Sequence, residues 1–171
     1  MTKKFIFLIM TLIGCFCLTS AVSGQEDIQK FPSCNHCGMD RGKFAHSRMV
    51  IEYDDGTAEG MCSLRCAAVD LAIKIDKAPK AIWVGAYDTK KLIDAERASW
   101  LIGGSKMGVM TKRAKWGFEG PEQAERFKKE NGGELSTFEP AIKAAYEDLY
   151  EDTKMIREKR KMMKKEPRHH Q

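Results

Sequence analysis

Short alternations of apolar and polar residues predict a hairpin followed by a helix in the first half of the chain. His46–Tyr53 and Thr57–Cys62 have the composition of two strands, and Asp54-Asp55-Gly56 between them suits a tight turn. Ser63 is placed to cap a helix that runs to about Asp76.

The second half of the chain continues this mixture of strands and helices. Apolar or alternating runs predict strands, while an early proline and a following pair of glycines bound a helix. The predicted elements are the strands Ala81–Ala86, Ser99–Ile102, Lys115–Phe118 and Glu134–Phe138, the helix Pro121–Glu130, and a last helix from Pro140. Strands at hairpin spacing mixed with helices predict an α+β fold.

Residues 1–24 have the layout of an export signal. Lys3 and Lys4 precede an apolar run of 14 residues, Phe5–Leu18, and small residues then lead to Gly24. The run is shorter than the roughly 20 residues that a membrane-spanning helix needs, so an export signal is favoured over a transmembrane segment. We therefore predict that the mature protein works outside the cytoplasm.

Two processing sites fit this signal. Val22-Ser23-Gly24 offers small residues to a general signal peptidase, which would give a signal peptide of residues 1–24. Leu12-Ile13-Gly14-Cys15 matches a lipobox, in which residues 1–14 are removed and Cys15 is acylated. We favour the lipobox and predict a lipoprotein held at a membrane through Cys15.

The charge distribution argues against a nucleic-acid partner. The formal net charge is +5, but residues 1–24 contribute +2 and residues 152–171 contribute +5, so the body between them is slightly acidic. The body therefore has no basic face for nucleic acid. The basic tail, Met155–Arg168, is expected to form a solvated helix. Removal of the signal leaves about 145 residues, which suits one domain.

Four cysteines outside the signal form two closely spaced pairs. Cys34-x-x-Cys37 can direct two thiols at one centre because a tight turn brings their side chains together. In Cys62-x-x-x-Cys66 the second thiol lies one helical turn after the first, at a helix start that favours the thiolate. The spacing leaves structural zinc, copper(I) or another soft metal, and disulfides open. A thioredoxin-like redox pair is disfavoured, because no strand precedes Cys34.

Methionines near these thiols favour copper(I). Met39 follows Cys37 closely, and Met107 and Met110 lie in a polar, glycine-rich loop where a core role is less natural. Thioether sulfur suits copper(I) and is a poor ligand for zinc. His36 and His46 are candidate accessory donors, although His46 is better explained as a surface residue at a strand edge.

The order of several motifs resembles the NosL family, the accessory proteins of nitrous oxide reductase assembly. The most informative parts are Cys34-x-x-Cys37-Gly38-Met39 and Gly104-Ser105-Lys106-Met107-Gly108. The likeness covers residues 31–140, which we predict to be the metal-binding domain, followed by a C-terminal helix and basic tail at 141–171. Further matching segments are Tyr53-Asp54-Asp55-Gly56, Trp83-Val84, Tyr87-Asp88-Thr89, Ala98-Ser99-Trp100, Ala124-Glu125-Arg126-Phe127 and Gly132-Gly133.

The resemblance implies a small domain of ββα-type units that binds copper(I) in the periplasm and passes it to a cuproenzyme such as nitrous oxide reductase, or to its assembly proteins. Cys37, Met39 and Met107 match the family's sulfur residues and are the first predicted ligands. Cys34, Cys62 and Cys66 are additional or alternative ligands, and His36, His46 and Met110 are accessory. Two departures put the client in doubt. Lys106 stands where proline is usual, and many members lack the Cys62/Cys66 pair, which resembles treble-clef spacing.

Two other functions remain open from the residues alone. One is a zinc-stapled binding module, in which all four cysteines hold zinc. The other is a cysteine-dependent reaction similar to that of organomercurial lyases, with Asp88 or Asp94 as partner. Both aspartates are better explained as turn and cap residues. No phosphate-binding loop, Ser-His-Asp order or His-Glu-x-x-His helix occurs in the sequence, so we predict that the chain is not an enzyme.

Overall fold

Seven strands and four helices make up residues 25–165, the part of the chain that this computed structural model describes. The predicted signal, with Cys15, and the last six residues lie outside the described residues. The helices are α1 Glu26–Lys30, α2 Leu64–Ile73, α3 Pro121–Asn131 and α4 Phe138–Lys165. The strands are β1 Met49–Tyr53, β2 Ala58–Met61, β3 Pro79–Gly85, β4 Leu92–Asp94, β5 Ser99–Ile102, β6 Lys115–Phe118 and β7 Glu134–Ser136.

The strands form two antiparallel sheets with related topology. The first sheet has the order β2-β1-β3-β4, and the second has the order β6-β5-β7. In each sheet a hairpin is followed by a helix, and the next strand then pairs with the free side of the hairpin's first strand. The structure therefore confirms the predicted α+β fold of ββα-type units. The sequence showed no internal repeat, so this similarity is one of topology alone.

Several predicted boundaries differ from those observed. The first strand begins at Met49 instead of His46, because the main-chain N–H groups of Ser47 and Arg48 donate to the carbonyl of Phe44 and form a turn. Helix α2 ends at Ile73, and a separate turn follows, in which Lys77 N–H donates to the carbonyl of Lys74. Helix α1 and strand β4 were not predicted, since both are too short to show a period.

The last helix also begins earlier than the sequence indicated. Phe138, assigned to a strand from its composition, is the first residue of α4, and its ring is buried against Trp100 with ring centroids 6.0 Å apart. Packing of this aromatic pair overrides the strand preference of phenylalanine. The helix runs on to Lys165 and packs against α2 and β5.

One apolar core joins the two sheets and the helices. Its largest fully buried apolar side chains include Trp100 and Phe118 from the second sheet and Met49 and Ile51 from the first. The main-chain N–H of Tyr87 donates to the carbonyl of Gly117 at 2.8 Å and ties the two sheets together. No helix within residues 25–165 has the length and apolar composition needed to cross a membrane.

A buried ion cluster fixes α1 to the first sheet. The guanidinium groups of Arg41 and Arg48 are fully buried, and each donates to Asp27 Oδ2 at 2.8 Å. Burial by itself would raise the pKa of Asp27, but hydrogen bonds and charges from Arg48 and Arg41 outweigh it and lower that pKa. Arg41 also donates to the carbonyls of Phe31, Met49 and Met61. These bonds position the segment that carries the first cysteine pair.

Candidate metal centre

The four cysteines of the described chain meet at one point. Their sulfur atoms all lie within 4.8 Å of one another, although the two pairs come from separate segments. Cys37 Sγ is 3.4 Å from Cys62 Sγ, and Cys62 Sγ is 3.8 Å from Cys66 Sγ. All four are free thiols in the structure, and three of them are buried, whereas Cys37 is half-buried.

The first pair sits on a tight turn that we call the knuckle, residues 33–40. Cys34 N–H donates to the carbonyl of Met39 at 2.8 Å, and Gly38 N–H donates to the carbonyl of Cys34 at 2.9 Å. The turn needs a positive φ of 75° at Gly38, which glycine adopts without a side-chain clash. Asn35 N–H donates to the carbonyl of Gly60 in β2 and so holds the knuckle against the first hairpin.

The second pair lies where β2 ends and α2 begins. Cys62 follows the last residue of β2, and its carbonyl accepts a hydrogen bond from Ser47 Oγ at 2.8 Å. Cys66 lies in the first turn of α2, where its N–H donates to the carbonyl of Ser63. Ser63 occupies the predicted N-cap position, although its side chain makes no capping hydrogen bond. This strand-to-helix junction directs both thiols toward the knuckle.

The thiols influence one another's ionisation. Hydrogen bonds from the thiols of Cys37, Cys62 and Cys66 stabilise a thiolate at Cys34 and lower the pKa of Cys34. The pKa of Cys62 and that of Cys66 are both raised, chiefly by the hydrogen bond to Cys34 and further by burial. The cluster can therefore hold its first negative charge readily, but further thiolates repel one another. A soft cation at the centre would remove this repulsion.

The sulfur spacing fits one metal ion. Four thiolates at about 2.3 Å from a zinc ion lie about 3.8 Å apart at the corners of a tetrahedron. The observed separations of 3.4 and 3.8 Å are close to this value and far longer than a disulfide bond. Soft thiolate ligands select copper(I) and zinc among common metals. Ligand type and spacing thus fit a metal site without deciding between these two ions.

His36, between the two knuckle cysteines, is held away from the sulfur group by a carboxylate. Its Nε2 lies 2.7 Å from Oδ1 of Asp70, a buried residue of α2. The hydroxyl of Tyr53 donates to the other carboxylate oxygen at 2.5 Å, and burial and this bond raise the pKa of Tyr53. Asp70 therefore links the knuckle, the first sheet and α2.

Three further candidate donors are His46, Met110 and Met107. His46 packs against the rings of Tyr87 and Trp116 at 5.5 and 5.4 Å, and burial lowers its pKa. It is thus half-buried in an aromatic cluster instead of lying at a strand edge. Met110 is partly buried against the core with a φ of 62°, and Met107 is 75% exposed on the loop after β5.

Met39, at the end of the knuckle, is partly buried against the core, and its carbonyl braces Cys34. The structure therefore brings together Cys34, Cys37, Cys62 and Cys66, and it places Met39 in the same segment and against the same core.

The model of the NosL family matches residues 25–146. The chain belongs to the NosL family. The crystal structure of the copper chaperone NosL from Shewanella denitrificans has a similar fold, with a TM-score of 0.50 and 21% sequence identity over 63% of this chain and 87% of that chain. No curated protein is significantly similar to the chain in sequence.

Membership of the NosL family also confirms that the chain is not an enzyme. The two aspartates considered for a lyase-like reaction serve turns in this NosL chain. Asp88 Oδ1 accepts a hydrogen bond from Thr89 N–H, and Asp94 Oδ1 accepts one from Glu96 N–H. Both roles agree with the turn and cap functions expected from the sequence.

Sequence reasoning missed the polar residues that support the metal centre of this NosL protein. Asp70 follows Cys66 by four residues and is the one acid of a helix that is otherwise apolar after Arg65, and that acid was the available signal. Arg41 and Arg48 gave no comparable signal, because isolated arginines are ordinarily exposed. Their buried partner, Asp27, lies in a helix too short to be recognised from its sequence.

Proposed function

We propose that this NosL protein is an extracytoplasmic copper(I) chaperone. The observation that carries the proposal is the convergence of four thiols in a chain of this family. The solved relative from Shewanella denitrificans is a copper chaperone, which supports copper as the cargo. Thiolate ligands stabilise copper(I), and carriage of the ion requires neither oxidation nor reduction.

Unequal burial of the thiols suits a carrier. Cys34, Cys62 and Cys66 are buried and form the inner part of the site, whereas the half-buried Cys37 is reachable from solvent. An incoming ligand would displace Cys37 first and then draw copper(I) away from the inner thiolates. Each thiolate released in this exchange takes up a proton according to its pKa, and copper stays in the cuprous state throughout.

We infer the location from the predicted signal and the client from the family resemblance. The lipobox at Leu12-Ile13-Gly14-Cys15 supports a periplasmic lipoprotein that is held at the membrane through Cys15. We infer that the recipient is a cuproenzyme such as nitrous oxide reductase, or one of its assembly proteins. Loss of copper from nitrous oxide reductase isolated from cells lacking this protein would support that client, and full copper occupancy would argue against it.

A zinc-stapled binding module is the second candidate function. It is favoured by one specific observation, the near-tetrahedral spacing of four sulfurs, three of them buried. A closed zinc site would hold the knuckle to the β2–α2 junction and would leave the protein to act through its surface. The two functions differ in whether the metal can be exchanged.

Anaerobic metal titration of the reduced mature protein tests both functions. Copper(I) and zinc(II) are added in parallel, the bound metal is counted by native mass spectrometry, and a copper(I) chelator then competes for the ion. The chaperone proposal expects one tightly bound copper(I) that passes to the chelator and a weaker site in the Cys37→Ser variant. Zinc that resists chelators, together with no stable copper(I) complex, would overturn it in favour of the zinc module.

A further inference from the structure

A basic groove lies between the loop after β5 and the outer part of α4. Its volume is about 390 Å³, and its walls carry three lysines and two thioethers. The loop side supplies Lys106, Met107 and Lys112, and the helix supplies Met155 and Lys159. The family match ends at residue 146, so the helical wall belongs to the part of the chain beyond that match.

The ammonium groups of the three groove lysines make no ion pair within residues 25–165, although the main-chain N–H of Lys112 donates to Asp152 Oδ1. Cations nearby are paired with an acid of α4: Arg113 and Lys115 contact Asp148 at 2.8 and 2.5 Å. Unpaired ammonium groups around one concavity repel one another and produce a positive potential there. The groove therefore favours an anionic occupant.

The groove adjoins the metal centre through α4. Lys159 lines the groove, and the next residue, Arg160, donates from Nη2 to the carbonyl of Cys37 at 3.4 Å. Cys37 is the least buried of the four thiols. A partner segment seated in the groove would therefore lie close to the thiol through which the metal is expected to leave.

We propose that this groove binds an acidic segment of the partner protein that exchanges metal with the chain. The identity of the partner rests on the chaperone function proposed above. The binding of an acidic segment in the groove needs no metal. Aspartate or glutamate side chains pair with the three lysines, and an apolar or methionine side chain packs against Met107 and Met155. The concave shape suits a peptide segment, whereas an anionic bilayer offers a flat surface.

Fluorescence anisotropy with a defined peptide tests the groove. The probe is a short, acetylated, fluorescein-labelled peptide of alternating aspartate and methionine, added to the full mature protein in its metal-free, reduced form. The peptide should bind, and added salt should weaken the binding because it screens exposed charges. Replacing all three groove lysines, as Lys106→Glu, Lys112→Glu and Lys159→Glu, should weaken binding by about tenfold or more.

A matched variant controls for net charge. Lys128→Glu, Lys129→Glu and Lys143→Glu change the charge equally at exposed lysines outside the groove, and binding should change by less than about twofold. The milder Lys→Gln triple in the groove should give an intermediate loss. Circular dichroism checks that each variant is folded, which is expected because all six lysines are exposed.

Three results would overturn the proposal. These are absence of peptide binding, equal loss in the groove and control variants, and lysine-dependent binding to phosphatidylserine vesicles without peptide binding. The last result would make the groove a membrane contact. If the protein fails to bind copper(I) but still binds the peptide through the groove lysines, the chaperone function is refuted. The groove then remains a binding site for acidic segments.

Discussion

The sulfur atoms of Cys37 and Cys62 lie 3.4 Å apart, although 25 residues separate them in the chain. Cys37 is half-buried on the knuckle, and Cys62 is fully buried at the end of β2. The pair thus spans the metal centre from its accessible side to its interior. The two thiols are expected to contribute equally to metal ligation and unequally to the stability of the metal-free protein.

Serine substitutions at these two positions separate ligation from stability. Both Cys37→Ser and Cys62→Ser should weaken copper(I) binding by at least about tenfold, because each removes one thiolate. Cys62→Ser should also lower the free energy of unfolding of the metal-free protein by about 1–3 kcal/mol, since it places a hydroxyl in the core. Cys37→Ser should cost less than about 1 kcal/mol. Chelator competition and urea unfolding measure the two effects, and an equal loss of stability would contradict the assignment.

The methionines predicted as ligands provide a second test. Met107 is 75% exposed on the groove loop, so Met107→Ala should change the copper(I) dissociation constant by less than about twofold. Met39 belongs to the knuckle and its side chain packs against the core, so Met39→Ala should have a larger effect by loosening the packing of the segment that carries Cys34 and Cys37. Anaerobic competition titration measures both variants. A tenfold loss in Met107→Ala would instead establish its thioether as a ligand during binding.

The ion cluster of Asp27 predicts a pH dependence. The folded-state pKa of Asp27 is lowered, so its contribution to stability is present above about pH 4 and is lost as the pH falls through the folded pKa. Asp27→Asn removes the charge that pairs with two fully buried guanidinium groups and should cost about 3 kcal/mol at pH 7. The variant should also lose part of its acid sensitivity. Urea unfolding between pH 7 and pH 3 measures both effects.

Asp76→Asn is the matched control for this variant, because Asp76 is exposed and makes no ion pair within the described chain. Its free energy of unfolding should stay within about 0.5 kcal/mol of the parent. A comparable loss in both variants would show that the buried cluster has no special role.

The contact between His36 and Asp70 predicts energetic coupling between the knuckle and α2. A double-mutant cycle with His36→Ala and Asp70→Asn should give a coupling energy of about 0.5–3 kcal/mol in the metal-free protein. The same variants should release copper(I) faster, because the knuckle is no longer tied to the helix. Urea unfolding and stopped-flow chelator competition measure these quantities. Additive effects on both would mean that the contact does not position the knuckle.

The sequence predicted the secondary structure best where the local signals were strong. Strands Ser99–Ile102 and Lys115–Phe118 have the predicted bounds, and Pro121 begins α3 as expected. The errors arose where long-range contacts decide the conformation. Phe138 joins α4 because its ring packs on Trp100, and His46 lies in a turn among aromatic side chains. Neither contact can be derived from neighbouring residues.

The sequence likewise predicted the local features of the candidate site and missed the features that depend on long-range contacts. Two cysteine pairs at a turn and a strand-to-helix junction predicted that the thiols act in pairs, because cysteine spacing is a local property, but the spacing left a metal site and disulfides open. The convergence of both pairs depends on how the knuckle docks onto β2, through Asn35 N–H to the carbonyl of Gly60 and through the buried side chain of Arg41. The surroundings of Met107 likewise depend on a long-range arrangement, because α4 forms the other wall of its groove.

The sequence by itself determined the residue types of this protein: four thiols in two pairs after the predicted signal, and a family pattern. Only the tertiary structure decided that the four sulfurs share one centre, that Cys37 is the accessible one, and that the lysines near Met107 form a groove with α4. The physical reason is that local spacing fixes which side chains can act together within a turn. Burial and long-range hydrogen bonds fix which separate turns meet.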